Sequence, residues 1–297
     1  MPEGMNARKA KRATEVSFAV NSLLAVFKLV SGILGKSGAM VADAIHTFSD
    51  LFTDVIVWIS IHIFQKPADE EHNYGHGKIE NVASLIVSIA LFLAGFNILK
   101  SGVTDIWRWA DGEVFEGIGW IALVAAIFSI VLKEGLFRYQ KKVGMTTGNA
   151  AVTANAWHNR SDALSSVGTL LGVGGAVLLG PGFVFLDFLA QIFVSFFIFR
   201  VAWKILGTNI NQLMDVSLEE QYLVKIREIV EGHEHVLDYH KLRTRKTGKT
   251  FVIDIHILVD KDLTVKKSHG ISEDIEKEIS GLLGRWTVIN IHIEPYG

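Results

Sequence analysis

Cysteine is absent from the 297 residues, which excludes disulfides, CxxC redox pairs and thiolate ligands. Any metal site must therefore be built from nitrogen and oxygen donors. Only four prolines occur, and none falls inside the long apolar runs, so those runs can form uninterrupted helices. No strongly basic block stands out either. With a net charge of −2 nothing is equipped to neutralise a phosphate backbone, and nucleic acid is excluded as a partner. There is no low-complexity tract and no solenoid period. Apolar residues are plentiful: they make up 49% of the chain, and the mean hydropathy of +0.33 exceeds what a soluble α/β enzyme of this length ordinarily shows. The composition predicts a protein of the lipid bilayer.

Six apolar segments of helical length follow one another, at roughly 14 to 35, 38 to 64, 80 to 108, 117 to 138, 150 to 179 and 183 to 206, each near the span a bilayer requires. The N-terminal MPEGMNARKAKRATE lacks the short apolar core of a signal peptide and reads as a retained basic tail, residues 1–13. Arg8, Lys9, Lys11 and Arg12 precede the first span, Arg138, Lys141 and Lys142 follow the fourth, and the turn 179-LGPG-182 carries no charge. The positive-inside bias therefore puts both termini and the 65 to 79 loop in the cytoplasm. The six-helix domain is expected over 14–207 and a charged cytoplasmic domain over 208–297. The latter begins with the amphipathic 218-LEEQYLVKIREIVEGHE-234 and continues with two alternating strands around Thr247-Gly248-Lys249. A helix near 264 to 283 and a last strand, 286-WTVINIHIE-294, complete an αββαβ order. That order suits a small α+β sandwich with helices on one face of a three-stranded sheet.

The second span is unusual in carrying Asp43, His46, Asp50 and Asp54 within 40-MVADAIHTFSDLFTDVIVWI-59. On a helix these fall at i, i+3, i+7 and i+11, one stripe that must face protein or water. The fifth span repeats the device in 154-ANAWHNRSDALSS-166, where Asn155, His158 and Asp162 share a face. A lone His and Asp four apart is more often a local hydrogen-bonded pair. Two such pairs in apolar spans supply two imidazoles and two carboxylates, enough to complete a tetrahedron around a zinc-sized ion. Without an ion the carboxylates would repel each other at membrane depth, and one would be expected to keep its proton. Asp43 and Asp54 read equally as vestibule or supporting groups. Asn21, Asn97 and Asp187 are further polar residues along a route, and the glycines of 32-GILG-35 and 168-GTLLGVGG-175 are expected to permit close helix packing.

These motifs, 46-HTFSD-50, 158-HNRSD-162, the loop 67-PADEEHNYGHGKIE-80 and 240-HKLRTRKTGK-249, together resemble the cation diffusion facilitators over nearly the whole chain. The resemblance implies an α-helical membrane protein of six transmembrane helices with a cytoplasmic metallochaperone-like domain. It also implies a homodimer, and a secondary metal/proton antiporter with no enzymatic activity. By the family pattern His46, Asp50, His158 and Asp162 form the transport site for Zn2+. Fe2+, Mn2+ and Cd2+ remain open, although manganese-type members tend to replace the fifth-span His with Asp. Asp69, His72 and His76 form a second, weaker zinc site by the same pattern, with Gly75 and Gly77 allowing the loop to fold. Lys78 pairs with Asp215 as a charged link at the dimer interface. In the cytoplasmic domain His240, His256, His269, His292 and Glu294 match the positions of a structural or regulatory zinc set. Glutamate stands last where a bacterial relative would carry aspartate. His233 and His235 fall outside the pattern and read as solvated helix-end residues.

The implied mechanism uses one set of donors twice: the ligands capture the ion from the cytoplasm, the helices rearrange, and protons displace the ion on the far side. An intramembrane metalloprotease is disfavoured because no HExxH occurs. Two alternatives to zinc export stay in view. One is iron or manganese transport, including into a specialised intracellular compartment; the other is a non-transporting metal sensor or scaffold, whose function would not need the HxxxD pairs. The short loops point to a prokaryotic inner membrane.

Overall fold

The computed structural model describes residues 3–59, 69–73, 75–247, 250–284 and 286–297. Six long helices come first: α1 (Glu3–Leu34), α2 (Gly38–Ile59), α3 (Ile79–Ala110), α4 (Trp120–Thr147), α5 (Ala150–Leu179) and, after a short 3-10 turn at Pro181–Phe183, α6 (Phe185–Leu213). Then follow α7 (Glu220–Gly232), β1 (Asp238–Thr247), β2 (Thr250–Asp260), α8 (Val265–Leu283) and β3 (Thr287–Tyr296). Among the described residues α1, α3, α4, α5 and α6 are long and apolar enough to cross a membrane. Asp43, Asp50 and Asp54 set α2 apart from them. The chain is thus a helical membrane domain followed by an α+β domain. The expected 60–64 end of the second span, the turn residues Gly248 and Lys249, and the side chain of Asp54 lie outside the described residues.

Three helices run well past their apolar segments, α6 by continuing to Leu213. The basic stretch RKAKRATE is already part of α1, because it is rich in good helix formers and contains neither glycine nor proline. Helix α4 continues through Arg138, Lys141 and Lys142 until Gly148, whose φ of 66° is left-handed and whose N–H closes on the Gly144 carbonyl.

The chain divides into two compact units, one of Met1–Val55 with Ile86–Lys204 and one of Ile56–Leu85 with Ile205–Gly297. In the first, α4 packs along α5 and α1. Its core is built largely of small residues, among them Ala39, Ala122, Ala125, Ala126, Ala176 and Ala190. Glycines bring α5 close to α6: a Cβ on Gly172 would lie 2.7 Å from the Leu186 carbonyl oxygen, and one on Gly168 2.8 Å from the Phe193 ring. The expectation that these glycines serve packing agrees with that geometry. Asp187, fully buried on α6, caps the start of α2: it accepts from Ser37 Oγ at 2.6 Å, Gly38 N at 2.8 Å and Ala39 N at 3.3 Å. Its place is therefore at a helix N-terminus, where orphan N–H groups need an acceptor. Asn21 donates to Asn159 at 3.1 Å, while Asn97 lies on an exposed face of α3.

In the second unit the sheet order is β1-β2-β3, with β1 antiparallel and β3 parallel to β2. The parallel pairing follows from α8, which carries the chain back across the sheet. Alternate residues of β2, Ile253, Ile255, Ile257 and Val259, are buried with Ile226 and Val230 of α7 and Ile271, Ile275 and Ile279 of α8. The intervening positions, including His256, are thereby turned to the opposite face.

Candidate metal centres

Helical spacing from the two HxxxD pairs is realised in space. Donor atoms of His46 and Asp50 on α2 and Asp162 on α5 lie within 4.8 Å of one another. His46 and Asp162 are buried. His158 stands beside this trio: its Nε2 is 3.8 Å from Asp50 Oδ1 and its Nδ1 3.8 Å from Asp162 Oδ1, with half of its side chain exposed. Among the described residues, the buried atoms His46 Nδ1 and Asp50 Oδ2 have no hydrogen-bond partner. A buried imidazole nitrogen and a buried carboxylate oxygen left open are costly unless an ion or proton completes them.

The sequence reading missed two residues. Lys28 of α1 and Lys133 of α4 are both fully sequestered, at 0% and 1% exposure. Lys133 Nζ lies 3.1 Å from Asp162 Oδ2. Lys28 Nζ lies 2.7 Å from Asp43 Oδ2, 3.3 Å from Thr47 Oγ1 and 3.2 Å from Ser166 Oγ, and Ser166 in turn lies 3.1 Å from both Asp43 oxygens. The expectation that an ion-free pair of carboxylates must repel therefore omitted a buried ammonium on one of them. A lone lysine inside each apolar run was the available signal, since ionisable residues at membrane depth have partners by default. Asp43 belongs to the Lys28 pair and is not gathered with the HxxxD donors.

The loop residues also meet. Asp69, His72 and His76 have donor atoms within 4.8 Å of one another, and the two imidazole rings are 4.3 Å apart. Gly75 takes a φ of 78° in the turn between them. The Asp69 carboxylate accepts from the His72 backbone N–H at 2.7 Å, which holds its pKa below the usual carboxylate range. Lys78 Nζ and Asp215 Oδ1 form a half-exposed pair at 2.9 Å.

In the α+β domain His240, His256 and His292 occupy one row across the three strands, since His240 pairs with His256 and His256 with His292 in register. Glu294, two residues beyond His292, reaches back into the row. Its Oε1 is 2.7 Å from His256 Nδ1 and 3.6 Å from His292 Nε2, and its Oε2 is 3.2 Å from His240 Nε2. The His256 hydrogen bond lowers the Glu294 pKa below its ordinary value. At the register shift between His240 and Arg243, Lys241 takes a φ of 54°, the signature of a bulge that re-aims its neighbours. His240 Nε2 is buried beside Glu294 Oε2 but makes no well-aligned hydrogen bond to it or to another of the described residues, so the donor set fits a cation of zinc's size and ligand preference. His269 is not gathered with these residues: it lies 71% exposed on α8, 3.5 Å from Glu273. His233 and His235 sit at the end of α7, their rings 6.1 Å apart.

A helical membrane domain with buried His and Asp donors on two spans, joined to an α+β domain with its own histidine row, defines a membrane metal transporter. The description "Cation efflux transmembrane domain" matches residues 15–214, and "Cation efflux protein, cytoplasmic domain" matches residues 218–296. The magnetosome protein MamB of Magnetospira sp. (strain QH-2) is 34% identical over 94% of this chain and 93% of its own length. The manganese efflux system protein MneP of Bacillus subtilis is 28% identical over 97% of this chain and 96% of its own. Among solved structures, the metal-bound C-terminal domain of the CzcD transporter from Thermotoga maritima is 28% identical over 26% of this chain and 91% of its own, with a TM-score of 0.25. The chain belongs to the cation diffusion facilitator family: it is an integral membrane protein and a divalent metal cation efflux transporter, not an enzyme. The family's cytoplasmic domain mediates dimerisation.

Proposed function

We propose that this transporter exports zinc from the cytoplasm in exchange for protons, with His46, Asp50, His158 and Asp162 as its transport ligands. One observation carries the reading: donors from α2 and α5 converge within 4.8 Å at a buried position, with His158 3.8 Å from both carboxylates. Two imidazoles with two carboxylates suit zinc better than calcium or magnesium, which take oxygen ligands. Metal and protons compete for the same donors, so no separate proton carrier is needed. Manganese is the second reading, favoured by the likeness to a manganese efflux protein.

The remaining assignments rest on the same family pattern. Arg8, Lys9, Lys11 and Arg12 before α1 support cytoplasmic termini in a prokaryotic inner membrane. Residues 208–297 act as the dimerising domain, with zinc held by His240, His256, His292 and Glu294. Asp69, His72 and His76 form a weaker zinc site, and the Lys78–Asp215 pair is a link at the homodimer interface. The test is zinc-dye flux into proteoliposomes with and without a pH gradient. Asp50→Ala and Asp162→Ala should each abolish gradient-responsive uptake. Uptake persisting in both variants, or a folded native dimer that moves no zinc, manganese, iron or cadmium, would refute the assignment and favour a sensor or scaffold.

A further inference from the structure

One charged group buried within the helical membrane domain has no part in the transport site proposed above. Lys133 comes from α4 and is 1% exposed, and its ammonium rests on Asp162 Oδ2 at 3.1 Å. The other oxygen of that carboxylate faces His158 at 3.8 Å, and the donor set of His46, Asp50 and Asp162 lies alongside. Lys28, the second buried ammonium, is already engaged by Asp43, Thr47 and Ser166. A divalent ion drawing an oxygen from Asp162 would share that carboxylate with the Lys133 ammonium. In a buried, poorly screened position the repulsion between the two cations is strong, so entry of the metal requires the ammonium to withdraw. The converse holds after release. A carboxylate left ionised and uncompensated would be costly to carry back through the membrane interior; an ammonium returning to Asp162 neutralises that one, leaving the proton taken in exchange to the other donors.

We propose that Lys133 is a tethered counter-ion of the transport site, a positioning residue that occupies Asp162 when metal is absent, competes with metal for it, and allows the empty site to reorient. The proposal rests on reading His46, Asp50, His158 and Asp162 as the transport ligands.

The experiment separates net uptake from exchange in proteoliposomes of the full chain, using radioactive zinc. Net uptake requires the ion-free site to return; exchange against zinc preloaded inside does not. The variants are Lys133→Gln, which keeps a hydrogen-bond donor but loses the charge, and Lys133→Arg, which keeps the charge. In Lys133→Gln net uptake should fall about tenfold or more, and the zinc concentration giving half-maximal exchange should fall by about tenfold. Exchange at saturating zinc should persist, and Lys133→Arg should restore net uptake. Net uptake unchanged in Lys133→Gln overturns the proposal. So does an equal loss of net uptake and exchange, which would assign the lysine a structural role only. Uptake that survives Asp50→Ala and Asp162→Ala would instead overturn the transport site itself, whatever the Lys133 variants do.

Discussion

Removing the Lys28 side-chain charge tests the buried architecture most directly. Lys28→Met keeps the length and apolar stem of the side chain while deleting an ammonium that lies 2.7 Å from Asp43 Oδ2 at 0% exposure. The Ser166 hydroxyl, 3.1 Å from both carboxylate oxygens, remains, but a single hydroxyl does not neutralise a buried carboxylate. Breaking a buried ion pair from one side typically costs about 3–5 kcal/mol, whereas replacing both partners with uncharged groups is close to neutral. Asp43→Asn should destabilise by a similar amount through the opposite defect. The double variant should return to within about 1 kcal/mol of the native chain, a coupling of about 5 kcal/mol or more. The assay is reversible denaturation of the detergent-solubilised protein, followed by loss of helical signal, for all four chains. Additive losses, with the double variant the least stable of the four, would refute the pairing of α1 with α2 through these residues.

Two further outcomes follow from packing and charge. Gly172→Ala should lower stability by about 1–3 kcal/mol through overpacking, because its new methyl group would meet the Leu186 carbonyl at 2.7 Å; a loss below a few tenths would show that α5 and α6 are not held at that distance. Glu294→Gln tests the histidine row by pH. The folded pKa of Glu294 is lowered chiefly by the His256 hydrogen bond, so its stabilising contribution is present above the ordinary carboxylate value and disappears as pH falls through the lowered one. The metal-free native chain should therefore have a higher thermal midpoint than Glu294→Gln at pH 6, with the gap closing as pH is lowered toward 3; a gap that widens in acid would contradict the geometry.

The order of elements was legible because its signals are local. Apolar length, proline placement and the 3.6-residue period locate α2 and α5 and put His46 with Asp50, and His158 with Asp162, on common faces. Period-two alternation likewise turns Ile253, Ile255 and Ile257 inward and His256 outward on β2. Helix ends were less legible: α1 and α4 run past their apolar segments, since hydropathy marks what is buried in lipid and backbone propensity decides where a helix stops.

Lone lysines in apolar runs signalled buried partners, but which ammonium meets which carboxylate was not legible. Nothing in a linear reading joins Lys133 to Asp162 or Lys28 to Asp43, because each pair is made across helices whose contacts depend on small-residue packing. Asp187 reads as a polar residue on a transport route until the fold sets it against the first N–H groups of α2. The row of His240, His256 and His292 depends on strand register and on a bulge at Lys241, neither of which alternation specifies. The sequence by itself determined which residues could bind a metal and which helices or strands carry them, because periodicity is a property of neighbours along the chain. Only the tertiary structure decided which donors meet and which ammonium neutralises which carboxylate, because those depend on how separate elements pack.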